Sequence, residues 1–284
     1  MNKIQTTTDV TGTITPNMTQ DQIRYFVVDA FTARAFGGNP AAVVPLSAWP
    51  DDVWLQNVAM EMNLSETAFL VPNDNGFDLR WFTPKVEVDL CGHATLASAF
   101  AIFHAGLQKD NPEIEFSTRS GILHAKSEEN QIQLNFPLKP VSPVVTPENL
   151  IESLSVTPTY VGKSEYDYVV EVATENELRS LTPNFTQLAE IDCRGIIVTS
   201  KTNAPEFDFV SRFFGPAVGV DEDPVTGSAH CCLAHYWQQR TGRDQFTAYQ
   251  ASDRGGVVHV SIRQDRVLLS GNAVIVAQGN LLVR

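Results

Sequence analysis

Two short segments combine small polar residues with groups that could move protons. The segment DEDPVTGSAHC, residues 221–231, places three acids and a proline turn before an apolar helix. The segment VDLCGHATLAS, residues 88–98, has a similar glycine-containing turn before another apolar helix. The free amides and partial positive charge of a helix N-terminus bind carboxylates or phosphates. We therefore expect an anion site at the turns that contain Gly92 and Gly227.

Three side chains near these turns are candidates for proton chemistry, and each has a plainer alternative. Glu66 precedes an apolar strand in NLSETAFLVP, where Asn63 or Ser65 could instead form a capping box with a nearby acid. His93 follows a helix start, where a core histidine bonded to backbone is equally compatible. Asp223 could cap a helix. Taken as a set on two similar halves of the chain, these residues favour the functional interpretation.

Cys91 raises the hypothesis of two-base racemisation, in which one thiolate removes a proton and a second thiol supplies one. Aligning Gly92 with Gly227 places Thr226 opposite Cys91. A hydroxyl whose pKa is well above about 10 cannot replace a thiol as a base. The pattern therefore favours carboxylates for proton transfer, and Cys91 remains either a ligand contact or a packing residue.

The two halves of the chain resemble each other. RSGILHAKSEENQIQL at residues 119–134 matches RGGVVHVSIRQDRVLL at residues 254–269, and both this hairpin and the glycines Gly92 and Gly227 are offset by 135 positions. FDLRWFTP to CGHA also parallels FDFVSRFFGP to TGSA, with a five-residue insertion. A repeat this long predicts a duplicated domain rather than a solenoid.

The elements predict an α+β fold with two pseudo-symmetric domains. Each domain is expected to be a barrel-like mixed or antiparallel sheet around one buried central helix, ATLASAFAIFHAGL or SAHCCLAHYWQQR. The predicted division is a flexible tail at residues 1–22, a first domain at 23–137 and a second at 138–276. Residues 277–284 are free to return to the first domain.

Composition limits the classes of function. The chain has 284 residues, a net charge of −13 and scattered basic residues, which argues against binding to nucleic acid or an anionic membrane. There is no membrane-spanning apolar run and no secretory signal, and the cysteines lack a regular spacing. We therefore expect a cytoplasmic protein with reduced thiols. Consecutive residues 230–232, HCC, cannot direct three ligands at one zinc ion, and no nucleotide-binding glycine pattern follows a strand.

Four motifs together resemble the phenazine-biosynthesis isomerase-like family, which has the diaminopimelate epimerase fold. They occur in the family's order, namely VDAFTARAFGGNPAAVV, NLSETAFL, RWFTPKVEVDLCGHAT and GVDEDPVTGSAH. The resemblance implies that Glu66 is the acid/base residue and that His93, Asp223 and Ser228 complete the site. It also implies a homodimer without a metal or organic cofactor.

The resemblance implies a proton shift, which in the phenazine enzyme isomerises a cyclohexadiene amino acid. Glu66 would move the proton, while backbone amides at Gly92 and Gly227 would hold the carboxylate of a small anionic metabolite. Two rivals remain, a racemase that uses Glu66 with Asp223 or Cys91, and a non-catalytic binding protein. Family membership does not transmit the substrate.

Overall fold

The computed structural model describes residues 22–108 and 111–282, so almost all of the predicted tail lies outside the described residues. In these residues the chain forms one continuous sheet of eighteen strands. The strands are β1 Gln22–Ala30, β2 Asn39–Pro45, β3 Glu66–Pro72, β4 Gly76–Phe82, β5 Glu87–Val88, β6 Glu113–Thr118, β7 Gly121–Glu128, β8 Gln131–Pro137, β9 Ser142–Pro143, β10 Tyr160–Lys163, β11 Asp167–Glu171, β12 Gly195–Lys201, β13 Phe209–Gly215, β14 Val220–Asp223, β15 Gln245–Gln250, β16 Gly256–Arg263, β17 Arg266–Gly271 and β18 Ala273–Leu282.

Helices are few, as the sequence predicts. The α-helices are α1 Asp52–Met62, α2 Gly92–His104, α3 Glu148–Leu154, α4 Glu175–Arg179, α5 Phe185–Leu188 and α6 Gly227–Thr241. A 3₁₀ turn at Pro216–Val218 leads into β14. Across the two described ranges, none of these helices has the length and apolar character that a bilayer crossing requires.

Strand pairing follows the same scheme in both halves of the chain. In the first half β1 pairs antiparallel with β2, β2 parallel with β3, β3 antiparallel with β4 and β4 parallel with β6. The second half repeats these relations in the same order. There β10 pairs antiparallel with β11, β11 parallel with β12, β12 antiparallel with β13 and β13 parallel with β15. The pseudo-symmetric α+β fold is therefore confirmed by topology as well as by sequence.

The two halves are joined through antiparallel pairing of β8 with β17. The last strand, β18, returns to the first half and pairs antiparallel with β1. Its counterpart in the second half is the short strand β9, which pairs with β10. The proline-rich segment at residues 136–150 thus contributes β9 to the sheet and contains the start of α3. We propose that the boundary between the two domains lies between residues 137 and 138.

The helices α2 and α6 lie in one core that both halves share. Most of α2 is buried, and its Ala, Ser and Thr side chains allow strands β1, β2, β3, β7 and β8 to pack against it. The helix α6 is buried over most of its length in the same way. Small side chains matter here because protein interiors are close-packed and a helix enclosed by a sheet leaves little space.

His230, one turn into α6, is a fully buried histidine of this core. Its Nδ1 donates to the backbone oxygen of Thr226 at 2.8 Å, and its ring stacks on Phe209. Burial lowers the pKa of His230 to about 4. The neighbouring Cys231 and Cys232 are buried free thiols, so the HCC segment serves packing in this structure.

His230 makes folding stability depend on pH. The unfolded chain takes up a proton near pH 6.5 but the folded chain only near about pH 4, so stability falls as pH falls through this window. His230→Asn keeps a donor for Thr226 and removes the titration. Between pH 6.5 and 4, urea unfolding should show the wild type losing about 3 kcal/mol more than the variant. Equal losses in both proteins would contradict the assignment.

Candidate active site

The site forms where the N-termini of α2 and α6 meet. A methyl group built on Gly92 would lie 3.7 Å from the Cα of Gly227, and the reverse contact has the same length. The N-cap residues, Cys91 and Thr226, make no side-chain capping bond to their helices. Two uncapped helix N-termini therefore direct their partial positive charge at one place.

Glu66, His93 and Cys91 form a compact cluster beside these helix ends. Glu66 is the first residue of β3, and its Oε2 lies 3.1 Å from Nε2 of His93. The sulfur of Cys91 lies 3.5 Å from Nδ1 of His93. No helix starts near Glu66, since α1 ends before it with Asn63 as the C-cap. The capping-box alternative is therefore wrong.

Asp223 comes to the same place from the second half of the chain. Its Oδ2 accepts a hydrogen bond from Thr226 and its Oδ1 accepts one from Asn39, at 2.8 Å. Gln250 donates to the backbone oxygen of Asp223 at 2.7 Å and accepts from the backbone amide of Thr226 at 2.8 Å. Ser228, the second residue of α6, is half-buried. Asp223 thus joins a network instead of capping a helix.

Asn39 and Gln250 belong to this network although sequence reasoning missed them as site residues. Asn39 stands in the GGNP motif, whose turn character was the available signal. Gln250 ends β15 and carries no local signal, because its partners lie far from it in the sequence. Both side chains are fully buried.

The buried ionisable groups of the site shift one another's pKa values. Burial, helped by the charge of Glu66, raises the pKa of Asp223. Burial acts to lower the pKa of His93, and the largest opposing cause, a negative charge on Cys91, is absent because that thiol stays protonated near pH 7. Burial and Glu66 raise the pKa of Cys91 to about 11. Cys91 is therefore a neutral thiol near pH 7 and a poor base.

The pseudo-symmetry is broken where a second base would have to lie. Glu66 and Gly195 occupy corresponding positions in the two halves. Each is the first residue of its strand, and each pairs with the preceding parallel strand, Glu66 with Ala41 and Gly195 with Asp167. A methyl group on Gly195 would lie 2.3 Å from the ring of Phe213, so this ring fills the space. The second half thus offers no counterpart to Glu66.

A repeated Arg–Glu pair orients the acids of residues 221–223. Arg80 and Glu87 form two hydrogen bonds of 2.7 Å, and Arg212 and Glu222 form the same pair in the second half. Successive residues of a strand point to opposite faces. Because Glu222 binds Arg212 on one face of β14, Asp223 turns to the opposite face, which carries the site. Asp221 is exposed.

The ligand atoms of Glu66, Cys91 and His93 lie within 4.8 Å of one another, which is close enough for a metal ion. The hydrogen bonds of the His93 ring do not suit a metal ion. Asn39 directs its amide nitrogen at Nδ1 of His93 at 3.0 Å. A metal on Nε2 would place the remaining ring proton on Nδ1, facing that donor, whereas metal-binding histidines face an acceptor. This donor set fits a metal poorly.

The sequence profile of the phenazine biosynthesis-like family, PhzC-PhzF, matches residues 28–279. The chain belongs to this family. It is 54% identical to an uncharacterized isomerase of Halalkalibacterium halodurans, over 91% of this chain and 98% of that protein. The crystal structure of a PhzF family protein from Enterococcus faecalis matches with a TM-score of 0.89 and 37% identity, over 92% of this chain and 100% of the other. The resemblance found in the sequence is thereby confirmed.

More distant members of the fold are racemases and epimerases. A hydroxyproline epimerase from Agrobacterium vitis has a TM-score of 0.61 at 10% identity, with 93% of both chains covered. At this identity the match shows the fold alone. Isomerase-type relatives within the family and epimerases outside it thus share one architecture, and the residues of the site must distinguish between the reactions.

Proposed function

We propose that this protein is a cofactor-independent isomerase that shifts a proton on a small carboxylate-bearing substrate, amino-acid-like or cyclohexadiene-like, in the cleft between its halves. One observation carries the proposal. Oε2 of Glu66 is buried without a hydrogen-bond donor in line with it, although Nε2 of His93 lies 3.1 Å away. A buried carboxylate oxygen left free in this way is suited to accept a proton from a substrate carbon.

The helix ends provide the complementary half of the proposed mechanism. The backbone amides at Gly92 and Gly227 hold the substrate carboxylate and the negative charge that develops when the proton leaves. Glu66 takes a proton from a carbon made acidic by an adjacent alkene or carbonyl, exchanges its carboxyl proton with solvent, and delivers a proton to another carbon of the same substrate. His93, Asp223 and Ser228 orient the substrate by hydrogen bonding.

The asymmetry of the site favours this reaction over racemisation. A two-base racemase needs a second free base on the opposite face of the substrate. By pseudo-symmetry Gly195 corresponds to Glu66 and Thr226 corresponds to Cys91. Neither residue supplies a second base. Both carboxylate oxygens of Asp223 already accept hydrogen bonds, from Asn39 and Thr226. Glu66 is thus the one carboxylate of this cluster that is placed to transfer a proton.

The partner class is a small anionic metabolite, because two helix N-termini attract a carboxylate. A homodimer is proposed on family grounds, and a cytoplasmic location stays a prediction. The competing proposal is a binding protein without turnover, and it differs from the isomerase in one measurable property, the absence of carbon–hydrogen exchange.

A screen in deuterated water tests the proposed function. The wild-type protein is incubated with a panel of amino-acid-like and unsaturated carboxylates, and deuterium uptake is followed by mass spectrometry and NMR. We expect at least one compound to gain deuterium at carbon and to change its ultraviolet absorbance. Compounds that bind in a thermal-shift assay but never exchange would contradict the enzyme and support the binding protein.

A further inference from the structure

Asn39 is held at the junction of the two halves with little freedom to move. It is fully buried and follows Gly38, whose φ of +63° suits glycine and whose added methyl group would lie 2.1 Å from the oxygen of Ala30. The second half holds this turn in place. The amide of Gly38 donates to the oxygen of Gly255 at 2.7 Å, and Arg254 donates to the oxygen of Gly38 at 2.8 Å.

The partners of Asn39 determine which way its amide points. The nitrogen Nδ2 lies 2.8 Å from Oδ1 of Asp223, 3.0 Å from the backbone oxygen of Val225 and 3.0 Å from Nδ1 of His93. The oxygen Oδ1 accepts from the hydroxyl of Ser65 at 3.2 Å. A carbonyl oxygen can only accept, so the NH₂ group must face Val225, Asp223 and the ring.

This arrangement selects one tautomer of His93. An NH₂ group facing Nδ1 requires a lone pair there, because a proton on Nδ1 would meet the protons of the amide. The single proton of the neutral ring then resides on Nε2, the nitrogen that lies beside Oε2 of Glu66. The other ionisable groups close to the ring are Cys91, a neutral thiol, and Asp223, which Asn39 binds at the same time.

We propose that Asn39 is a positioning residue that keeps the proton of His93 on Nε2, which lies 3.1 Å from Oε2 of Glu66 without being in line with it, and that Asn39 links His93 in the first half to Asp223 in the second. This inference deepens the proposed function, since it places beside the base a hydrogen-bond donor that the substrate can use. The donor is then already in place when substrate binds. The side-chain amide of Asn39 also connects the two halves by its hydrogen bonds.

The tautomer can be measured without any substrate. In protein labelled with ¹⁵N-histidine, long-range ¹H–¹⁵N NMR distinguishes a ring protonated on Nε2 from one protonated on Nδ1 or on both nitrogens. The signals of His93 are assigned by their loss in His93→Gln. We expect the wild type at neutral pH to show the Nε2–H form. A ring protonated on Nδ1, or on both nitrogens, would overturn the proposal.

Two substitutions test whether Asn39 causes this choice. Asn39→Asp offers Nδ1 an acceptor, so we expect the ring to gain a proton on Nδ1. Asn39→Ala leaves Nδ1 without the amide, so we expect a mixture of both tautomers. The exposed Asn280 provides the matched control, and Asn280→Asp should keep the wild-type signals. Circular dichroism confirms that each variant is folded, and unchanged signals in folded Asn39→Ala and Asn39→Asp would refute the role of Asn39.

Kinetics separate this proposal from the proposed function. With a substrate from the exchange screen, Asn39→Ala should lower kcat by about 10–100-fold, as expected when a catalytic group loses its orientation, and should change KM less. If the tautomer proves correct while no compound exchanges, the proposed function fails and the role of Asn39 stands. If exchange occurs but the tautomer is wrong, only the role of Asn39 fails.

Discussion

Glu66→Gln should lower turnover by about 10²–10⁴-fold, the range that removal of a general base produces. Glutamine has nearly the same size and keeps one oxygen acceptor, so the fold and the binding of a carboxylate at the helix N-termini should persist. The carbonyl oxygen of an amide cannot hold a transferred proton near pH 7. The measurement is deuterium incorporation into the substrate found by the screen, followed by NMR, with thermal unfolding as the check on folding.

Glu61→Gln is the matched control, because Glu61 is an exposed acid on α1 and lies outside the site. This variant should exchange at the wild-type rate. Exchange at that same rate in Glu66→Gln would remove Glu66 from the role of base. The proton transfer would then have to be reassigned to Asp223, the other carboxylate of the site.

Gly38→Ala should destabilise the fold by about 2–5 kcal/mol, the largest effect on stability that we expect from a single methyl group. Two causes act together. The φ of +63° disfavours a side chain, and the added methyl group would lie 2.1 Å from the backbone oxygen of Ala30, which cannot move without disturbing β1. Urea unfolding measures the loss, and the NMR signals of His93 should also change because Asn39 is the next residue.

Gly242→Ala separates the two causes. Gly242 ends α6 with a φ of +72°, and no described atom lies within 4 Å of the methyl group it would gain. This variant should therefore cost only the conformational penalty, about 1 kcal/mol. Equal losses in the two variants would show that the close approach at Gly38 does not constrain the loop before Asn39.

The fold was largely predictable because its determinants are local or repeated. The apolar runs locate β3 and the central helices, and the offset between Gly92 and Gly227 predicts the duplication that the strand pairing confirms. The capping-box alternative for Glu66 was wrong since α1 ends before that residue. A capping box and the start of a strand share residue types, and only tertiary structure separates them.

The network around the acids could not be predicted, because its hydrogen bonds join distant parts of the chain. Asn39 and Asp223 are separated by 184 positions, and hydrogen bonds from Arg254 and to Gly255 hold the turn before Asn39 against the second half. The role of Glu222 depends in the same way on Arg212, a partner on the neighbouring strand. A linear pattern carries the residue types but not the face of the strand to which each side chain points.

In the proposed mechanism a single base, Glu66, removes a proton from one carbon and delivers a proton to another carbon of the same substrate. The most direct test is to locate deuterium by NMR after one turnover of the identified substrate in deuterated water. We expect deuterium at a carbon different from the one that lost its proton, with a shifted double bond and a changed ultraviolet spectrum. Deuterium at the original carbon with inverted configuration would contradict this mechanism and identify a two-base racemase.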